Sequence, residues 1–356
     1  MGLFRDVISI AHRSMIYTRN QINKFGDSLI SEDPFTRSGK DEVEQWRNTH
    51  LPVLKDLSDQ MNALLSKEDI PFDISSQRIK RMTSIVEKLR NNREKQMKLG
   101  GLQDIGGARY VFSDMEQLKR FDKILTSFVP DRFELKKRYD YIETPKDSGY
   151  RSIHYVYKYL SEDETYNGLQ IEMQIRTHLQ HCWAMAVETA SLISRTSLKA
   201  DIKDDSEWRG FFKLVSAIFA RKEGQPVSAL FTDYDNKRYC DEFEMYCSDK
   251  RLFDQIKALR VTVNNLNTLD SSDRYCVLTI NFETRMVNVK YVENANEASM
   301  LFSNIERNLT INEAALMVSM QKMDELRQAY PSYFLDTEDF IKSLEEFDTE
   351  CALLYR

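Results

Sequence analysis

The pattern of apolar and polar positions changes period several times along the chain. Residues 3–25 and 41–65 read as helices, the second with Trp46, Val53, Leu54 and Leu57 on one stripe. Pro34 and Gly39 punctuate the link between them. Over 75–98, Ile79, Met82, Val86 and Leu89 fall on one face of a predicted helix, with Ser75 or Ser76 as its N-cap. The period then shortens. DIGGARYVF (104–112) predicts a strand entered through glycines, and 132–142 and 152–160 predict two more. Between the first two strands, Met115, Leu118, Phe121, Leu125 and Phe128 mark a helix over 114–128. In LQIEMQIRT (169–177), Leu169, Ile171, Met173 and Ile175 face one way, and Gln170, Glu172, Gln174 and Arg176 the other. Thr177 is placed to cap the helix that starts HLQHCWAMAVE.

Helix patterning returns at 202–222 and stops at GQP (224–226), which marks a domain boundary. Beyond it, 275–282 and 285–292 predict a hairpin turning at Glu283-Thr284, and helices are expected at 294–308, 312–329 and 336–350. The pattern gives an α+β or α/β layer arrangement: a sheet of four or five strands with helices packed against it occupies 1–225, and a different, smaller unit occupies 226–356.

Composition narrows this picture. The 356 residues are 42% apolar, enough to bury a core, and the formal net charge is −6, so any nucleic-acid binding needs a local basic surface. Such a surface is available. Residues 75–98 hold Arg78, Lys80, Arg81, Lys88, Arg90, Arg93, Lys95 and Lys98 against only Glu87 and Glu94. A solvated helix face and a functional one explain that excess equally well. From 321 to 350 the balance reverses, with nine acids and three cations. The five cysteines are an odd set in which only Cys240 and Cys247 are close, which predicts reduced thiols in a cytoplasmic protein. No membrane span and no signal peptide are expected from the charged N-terminal stretch.

Asp104 and Glu172 stand at polar positions of predicted core strands, beside cations. Such carboxylates need partners. Structural ion pairs would satisfy them; so would a Mg²⁺ site, since Mg²⁺ takes one or two carboxylates plus substrate phosphates. Arg78, Lys80, Lys88 and Arg109 suit a polyphosphate. Lys146, Arg151 and His154 form a second anion-binding group, and Tyr150 offers a ring on which a base can stack. Two cationic groups around two carboxylates describe a transfer site for two phosphate-bearing ligands. His178 and His181 lack enough ligands for a metal, and His181 is expected to pack or hydrogen-bond near Glu172. Cys240-x₆-Cys247 is too wide for a zinc knuckle and reads as a metal-free remnant.

Four ordered motifs carry a resemblance: R-x-K-x₃-S-x₃-K (78–88), Q-D-I-G-G-A-R (103–109), Y-I-E-T-P-K-x₂-G-Y-R-S-I-H (141–154) and E-M-Q-I-R-T-x₃-H-x-W-A (172–184). Together they resemble the synthetase domain of the RelA/SpoT family over about residues 75–190, which implies an α+β, nucleotidyltransferase-like fold with a mixed central sheet and flanking helices, followed by a small C-terminal α/β antitoxin-like domain. The resemblance implies a Mg²⁺-dependent pyrophosphokinase that moves the β,γ-diphosphate of ATP onto a ribose 3′-hydroxyl. It implies ATP binding by Arg78, Lys80, Ser84, Lys88 and Arg109. It further implies metal binding and catalysis by Asp104 and Glu172, and acceptor binding by Lys146, Tyr150, Arg151 and His154. No His-Asp dipeptide occurs, so the hydrolase domain of long bifunctional relatives is not expected.

A synthetase followed by an unrelated unit also resembles the fused toxin–antitoxin proteins of the CapRel type. That resemblance implies an acceptor at the 3′ end of tRNA, blocked translation, and autoinhibition by 226–356. It implies release by a phage protein, typically capsid, in anti-phage defence, and a monomer in place of the tetramer common among small synthetases. GDP or GTP as acceptor is the alternative, and a catalytically inactive nucleotide sensor is a second one. Arg132, Lys136, Lys137 and Arg138 are cations that could hold an acceptor stem. Tyr330 and Tyr333 are the candidate rings for occupying the ATP site in the restrained state, with packing of a helix junction as the plain alternative.

Overall fold

The computed structural model describes residues 17–31, 39–197, 206–249, 252–253, 256, 275–281, 286–308, 310, 313–319 and 333–355. The chain divides into two compact units. The first comprises 1–139 and 153–176; the second comprises 140–152 and 177–356.

The first unit is built on a five-stranded sheet in the order β1-β2-β5-β4-β3. Its strands are β1 (Ile74–Ile79), β2 (Gly106–Phe112), β3 (Phe133–Asp140), β4 (Ile153–Tyr159) and β5 (Gln170–Thr177), the last residue of which belongs to the second unit. Its helices are α1 (Arg19–Leu29), α2 (Lys40–Asn48), α3 (His50–Lys67), α4 (Met82–Asn91) and α5 (Met115–Leu125). Asp114 caps α5 by accepting from the Gln117 amide at 2.9 Å. Ile22, Leu29, Val43, Ile85, Leu89 and Leu99 form one buried cluster that fixes α4 against α1 and α2. The alternation read in 169–177 holds as far as Ile175: Ile171, Met173 and Ile175 are fully buried and Gln170, Glu172 and Gln174 half-buried, but Arg176, expected on the polar face, is itself buried.

Residues 75–98 do not form one helix. Residues 74–79 instead pair antiparallel with β2, Arg78 opposite Gly107 and Ile79 opposite Gly106, and the helix begins only at Met82. Ser75 and Ser76 therefore lie in a strand and cap nothing. Most of β1 is exposed, so an edge strand with polar residues on both faces shows no period-2 signal to read. Pairing across the sheet overrode helical spacing.

The second unit contains α6 (His178–Ser197), α7 (Ser206–Lys222), α8 (Asn236–Glu244), α9 (Ala295–Glu306) and α10 (Tyr333–Leu354). Trp183, Phe211, Phe212, Phe219, Tyr239, Phe243, Phe340 and Leu344 share one buried core that joins α6, α7, α8 and α10. A second sheet, β7-β6-β8, is made of β6 (Tyr275–Asn281), β7 (Met286–Val292) and β8 (Glu313–Ser319). The predicted hairpin pairs Ile280 with Val287; its turn, 283–284, lies outside the described residues. The helix expected at 312–329 is corrected over its first part, because 313–319 pair antiparallel with β6. An apolar run such as EAALMVS carries no period of its own, and the open edge of β6 decides it.

The cysteine expectation is also corrected. Cys240 on α8 and Cys351 on α10 form a disulfide across 111 positions. Only the packing of α10 against α8 brings them together, so spacing in the chain could not show the pair. No helix among the described residues is long and apolar enough to cross a membrane.

Candidate active site

In the first unit, two motif residues, Lys80 and Lys88, converge on Asp104. Its Oδ2 accepts from Lys80 Nζ at 3.0 Å and Lys88 Nζ at 2.8 Å. Burial by itself would raise the Asp104 pKa; the charges and hydrogen bonds of the two lysines outweigh it and hold the carboxyl below its ordinary value. Lys80 is fixed from behind. Its amide donates to the Ile105 carbonyl at 2.7 Å, and its own carbonyl accepts from Arg47 Nη1 at 3.0 Å. Arg47 lies outside every motif, and nothing in local spacing points to it.

Asp104 uses only one oxygen. Oδ1 is buried without a hydrogen-bond partner. A buried lone-pair oxygen beside a second carboxylate fits a hard divalent cation.

That second carboxylate is Glu172. It accepts from His154 Nδ1 at 3.0 Å and from Gln174 Nε2 at 2.7 Å. The geometry follows from the antiparallel register of β4 and β5, which sets His154 opposite Gln174 and Val156 opposite Glu172. His154 and Glu172 are thus diagonal neighbours on one sheet face. Burial pushes the Glu172 pKa up, but the His154 and Gln174 interactions prevail and leave it lowered, even though the nearby Asp104 charge opposes them. Glu172 is therefore an ionised acceptor at neutral pH. Gln174 falls within the fourth motif and on the polar face of β5, but the sequence alone assigned it no role.

The remaining donor-side candidates are spread over three elements. Arg78 is exposed on β1, Arg109 is half-buried on β2 opposite Ser76, and Ser84 is half-buried on α4. β2 and β5 are neighbours in the sheet. A Cβ added at Gly107 would lie 3.8 Å from the Glu172 carbonyl, which shows how closely the two motif strands run.

The loop 140–152 belongs to the second unit. Lys146 Nζ sits 4.1 Å from the Tyr141 ring centre and 5.0 Å from that of Tyr150. Tyr150 is half-buried and meets Trp183 edge-on. Arg151, expected to face an acceptor, is buried. Its Nη1 donates to the Ile142 carbonyl at 3.0 Å and its Nε to Ser216 Oγ at 3.2 Å. It organises the loop. Gly149 turns the chain with φ +89°, and a Cβ there would meet Ser216 Cβ at 2.9 Å and Trp183 Cζ2 at 3.2 Å. Gly149→Ala is thus expected to cost about 1–3 kcal/mol from the backbone alone. A thermal melt reads this as a fall of several degrees; an unchanged midpoint would contradict it.

α6 starts as its sequence suggests. Thr177 Oγ1 accepts from the Gln180 amide, and Gln180 Oε1 accepts from the Thr177 amide, each at 3.3 Å. Glu223, just after α7, accepts from Thr177 Oγ1 and, at 2.9 Å, from Gln180 Nε2. His181 is buried in the second unit. Tyr330 lies outside the described residues, and Tyr333 is the first residue of α10, its side chain also outside them.

Comparison with known proteins agrees with the motif order. The family model for the region found in RelA / SpoT proteins matches residues 77–193. GTP pyrophosphokinase YjbM of Bacillus subtilis (strain 168) is 28% identical over 169 residues, 43% of this chain and 79% of the relative. GTP pyrophosphokinase YwaC of the same organism is 30% identical over 159 residues, 41% of this chain and 74% of the relative. Among solved structures, small alarmone synthetase 1 from Bacillus subtilis bound to its product pppGpp is 23% identical, with a TM-score of 0.43, covering 52% of this chain and 94% of that one. The family match lies on the motif-bearing strands and helices described above, and the chain belongs to the RelA/SpoT family as a small-synthetase pyrophosphokinase.

Proposed function

We propose that the chain transfers the β,γ-diphosphate of ATP to the ribose 3′-hydroxyl of GDP or GTP. The observation that carries this reading is the pair of carboxylates with different surroundings: Glu172 ionised and held by His154 and Gln174, Asp104 neutralised by two lysines with one oxygen unused. Glu172 accepts the proton of the attacking hydroxyl. His154 and Gln174 fix its two oxygens, which limits its rotation. Lys80 and Lys88, with Arg78, Arg109 and Ser84, supply cations and a hydroxyl for the donor phosphates. Mg²⁺, held by Asp104 and Glu172, would add charge neutralisation at those phosphates. Tyr150 stacks on the acceptor base, with Lys146 beside it. Two relatives named GTP pyrophosphokinases support a guanine nucleotide as acceptor.

The 3′-terminal adenosine of tRNA is the second reading. Its support is the length of chain outside the matched region, since the relatives span only 41–43% of it. On that reading 226–356 restrains a toxic 1–225, a phage protein such as capsid releases it, and the chain acts as a monomer. Pairing of three of the four cations at 132–138 counts against it: Arg132 with Asp56, Lys136 with Glu134 and Arg138 with Asp122. ATP labelled in its γ-phosphate, offered with GDP, GTP and tRNA side by side, separates the readings. Label on guanine nucleotide is the expected result. Label on tRNA that periodate-treated tRNA cannot accept would install the second reading. Label on neither acceptor would leave a nucleotide sensor.

A further inference from the structure

A side-chain cluster in the second unit lies outside the residues assigned to the transfer reaction. His178 and Cys182 lie one turn apart on the same face of α6. Asp339, on α10, brings its Oδ2 to 2.9 Å from His178 Nε2. One ligand atom from each of the three residues lies within 4.8 Å of the others. We propose that His178, Cys182 and Asp339 form a binding site for a divalent transition metal, zinc in particular, that fastens α10 to α6.

The donor set selects the metal. An imidazole, a thiol and a carboxylate suit zinc, whereas Mg²⁺ and Ca²⁺ prefer oxygen alone. Cys182 is fully buried and carries no disulfide. The His178 side chain is 30% exposed and that of Asp339 44%, so the cluster has a buried sulfur beneath two ligands reachable from solvent. Solvent can fill the fourth tetrahedral position. The cluster is also built before any metal arrives. Phe340, Ile341 and Leu344 next to Asp339 share the buried core of Cys182, Phe212 and Phe219, so apolar packing sets α10 at this height on α6. Binding deprotonates Cys182, and its proton passes to solvent.

The spacing of His178 and Cys182 is visible in the sequence as H-x₃-C, but two ligands do not make a site. The third arrives from 157 positions further on, and only the fold supplies it. The inference is independent of which acceptor the enzyme uses, because none of the three residues has been given a role in the transfer reaction.

The test uses the full-length chain, freed of metal with a chelator and titrated with Co²⁺ alone. The expected result is one equivalent of bound cobalt with thiolate-to-metal charge-transfer absorption in the near ultraviolet, displaced by Zn²⁺. Cys182→Ala is expected to abolish that absorption. His178→Gln and Asp339→Asn are each expected to weaken cobalt binding at least tenfold. Cys247→Ala, which changes a cysteine outside the cluster, is expected to leave it unchanged. Because Cys182 is buried and its variant can fail to fold, the His178 and Asp339 variants decide on their own, each with a circular-dichroism melt to show that it is folded. Absence of the cobalt band in folded wild-type protein overturns the proposal. So does equal affinity in folded His178→Gln and Asp339→Asn.

Discussion

Glu172→Gln is expected to lower diphosphate transfer by about 10²–10⁴-fold, the range for removal of a positioned general base, with little change in melting temperature. The substitution removes a charge and keeps the volume. It also keeps hydrogen bonding feasible, because a glutamine at 172 presents one oxygen and one amide group where the carboxylate presented two oxygens. Gln174 can rotate its own amide to match. The fold therefore keeps its partners while the hydroxyl proton loses its destination. The measurement is release of AMP from ATP in the presence of GDP, together with a thermal melt. A variant retaining a tenth of wild-type turnover would remove Glu172 from the role of base.

Asp104→Asn is expected to lower turnover on the order of 10²–10³-fold and to raise the Mg²⁺ concentration needed for half-maximal activity. It also leaves Lys80 and Lys88, both now hydrogen-bonded to Asp104 Oδ2, facing each other without the charge between them. Stability should fall in consequence, and the pH dependence identifies the cause. The folded-state pKa of Asp104 is depressed, so its contribution is present above the unfolded value of about 3.9. It is lost as pH falls through the lower, folded value. The stability gap between wild type and Asp104→Asn should thus be full near neutral pH and close in acid below about pH 4. Urea melts across that range measure it. A gap that stays constant down to the lowest pH would show that the lysine pairs contribute nothing through the Asp104 charge.

These two residues also show how far a sequence can be read here. The motif order identified Asp104, Glu172, Lys80, Lys88 and His154 as candidates, and the structure does gather them, Asp104 with both lysines and Glu172 with His154. The supports behind them were not legible. Arg47 holds Lys80 from a helix 33 positions earlier, a distance that no local period encodes. Arg151 shows the same limit from the other side. Its place in a cationic loop suggested a ligand, but whether a guanidinium faces solvent or a carbonyl depends on what packs over it, and Ser216 comes from another helix.

The sequence by itself determined the elements whose burial has a strong period, β5 and α5 above all, because alternation and helical stripes are imposed by one neighbouring core. It also determined the family and the residue types of the chemistry, since those motifs are contiguous. Only the tertiary structure decided that 74–79 is a strand and that 313–319 joins a sheet, because each is fixed by hydrogen bonds to a distant partner strand. It alone joined Cys240 to Cys351 and set Asp339 beside His178. Contacts between residues more than a hundred positions apart leave no period in the chain; they exist only after the core that brings them together has formed.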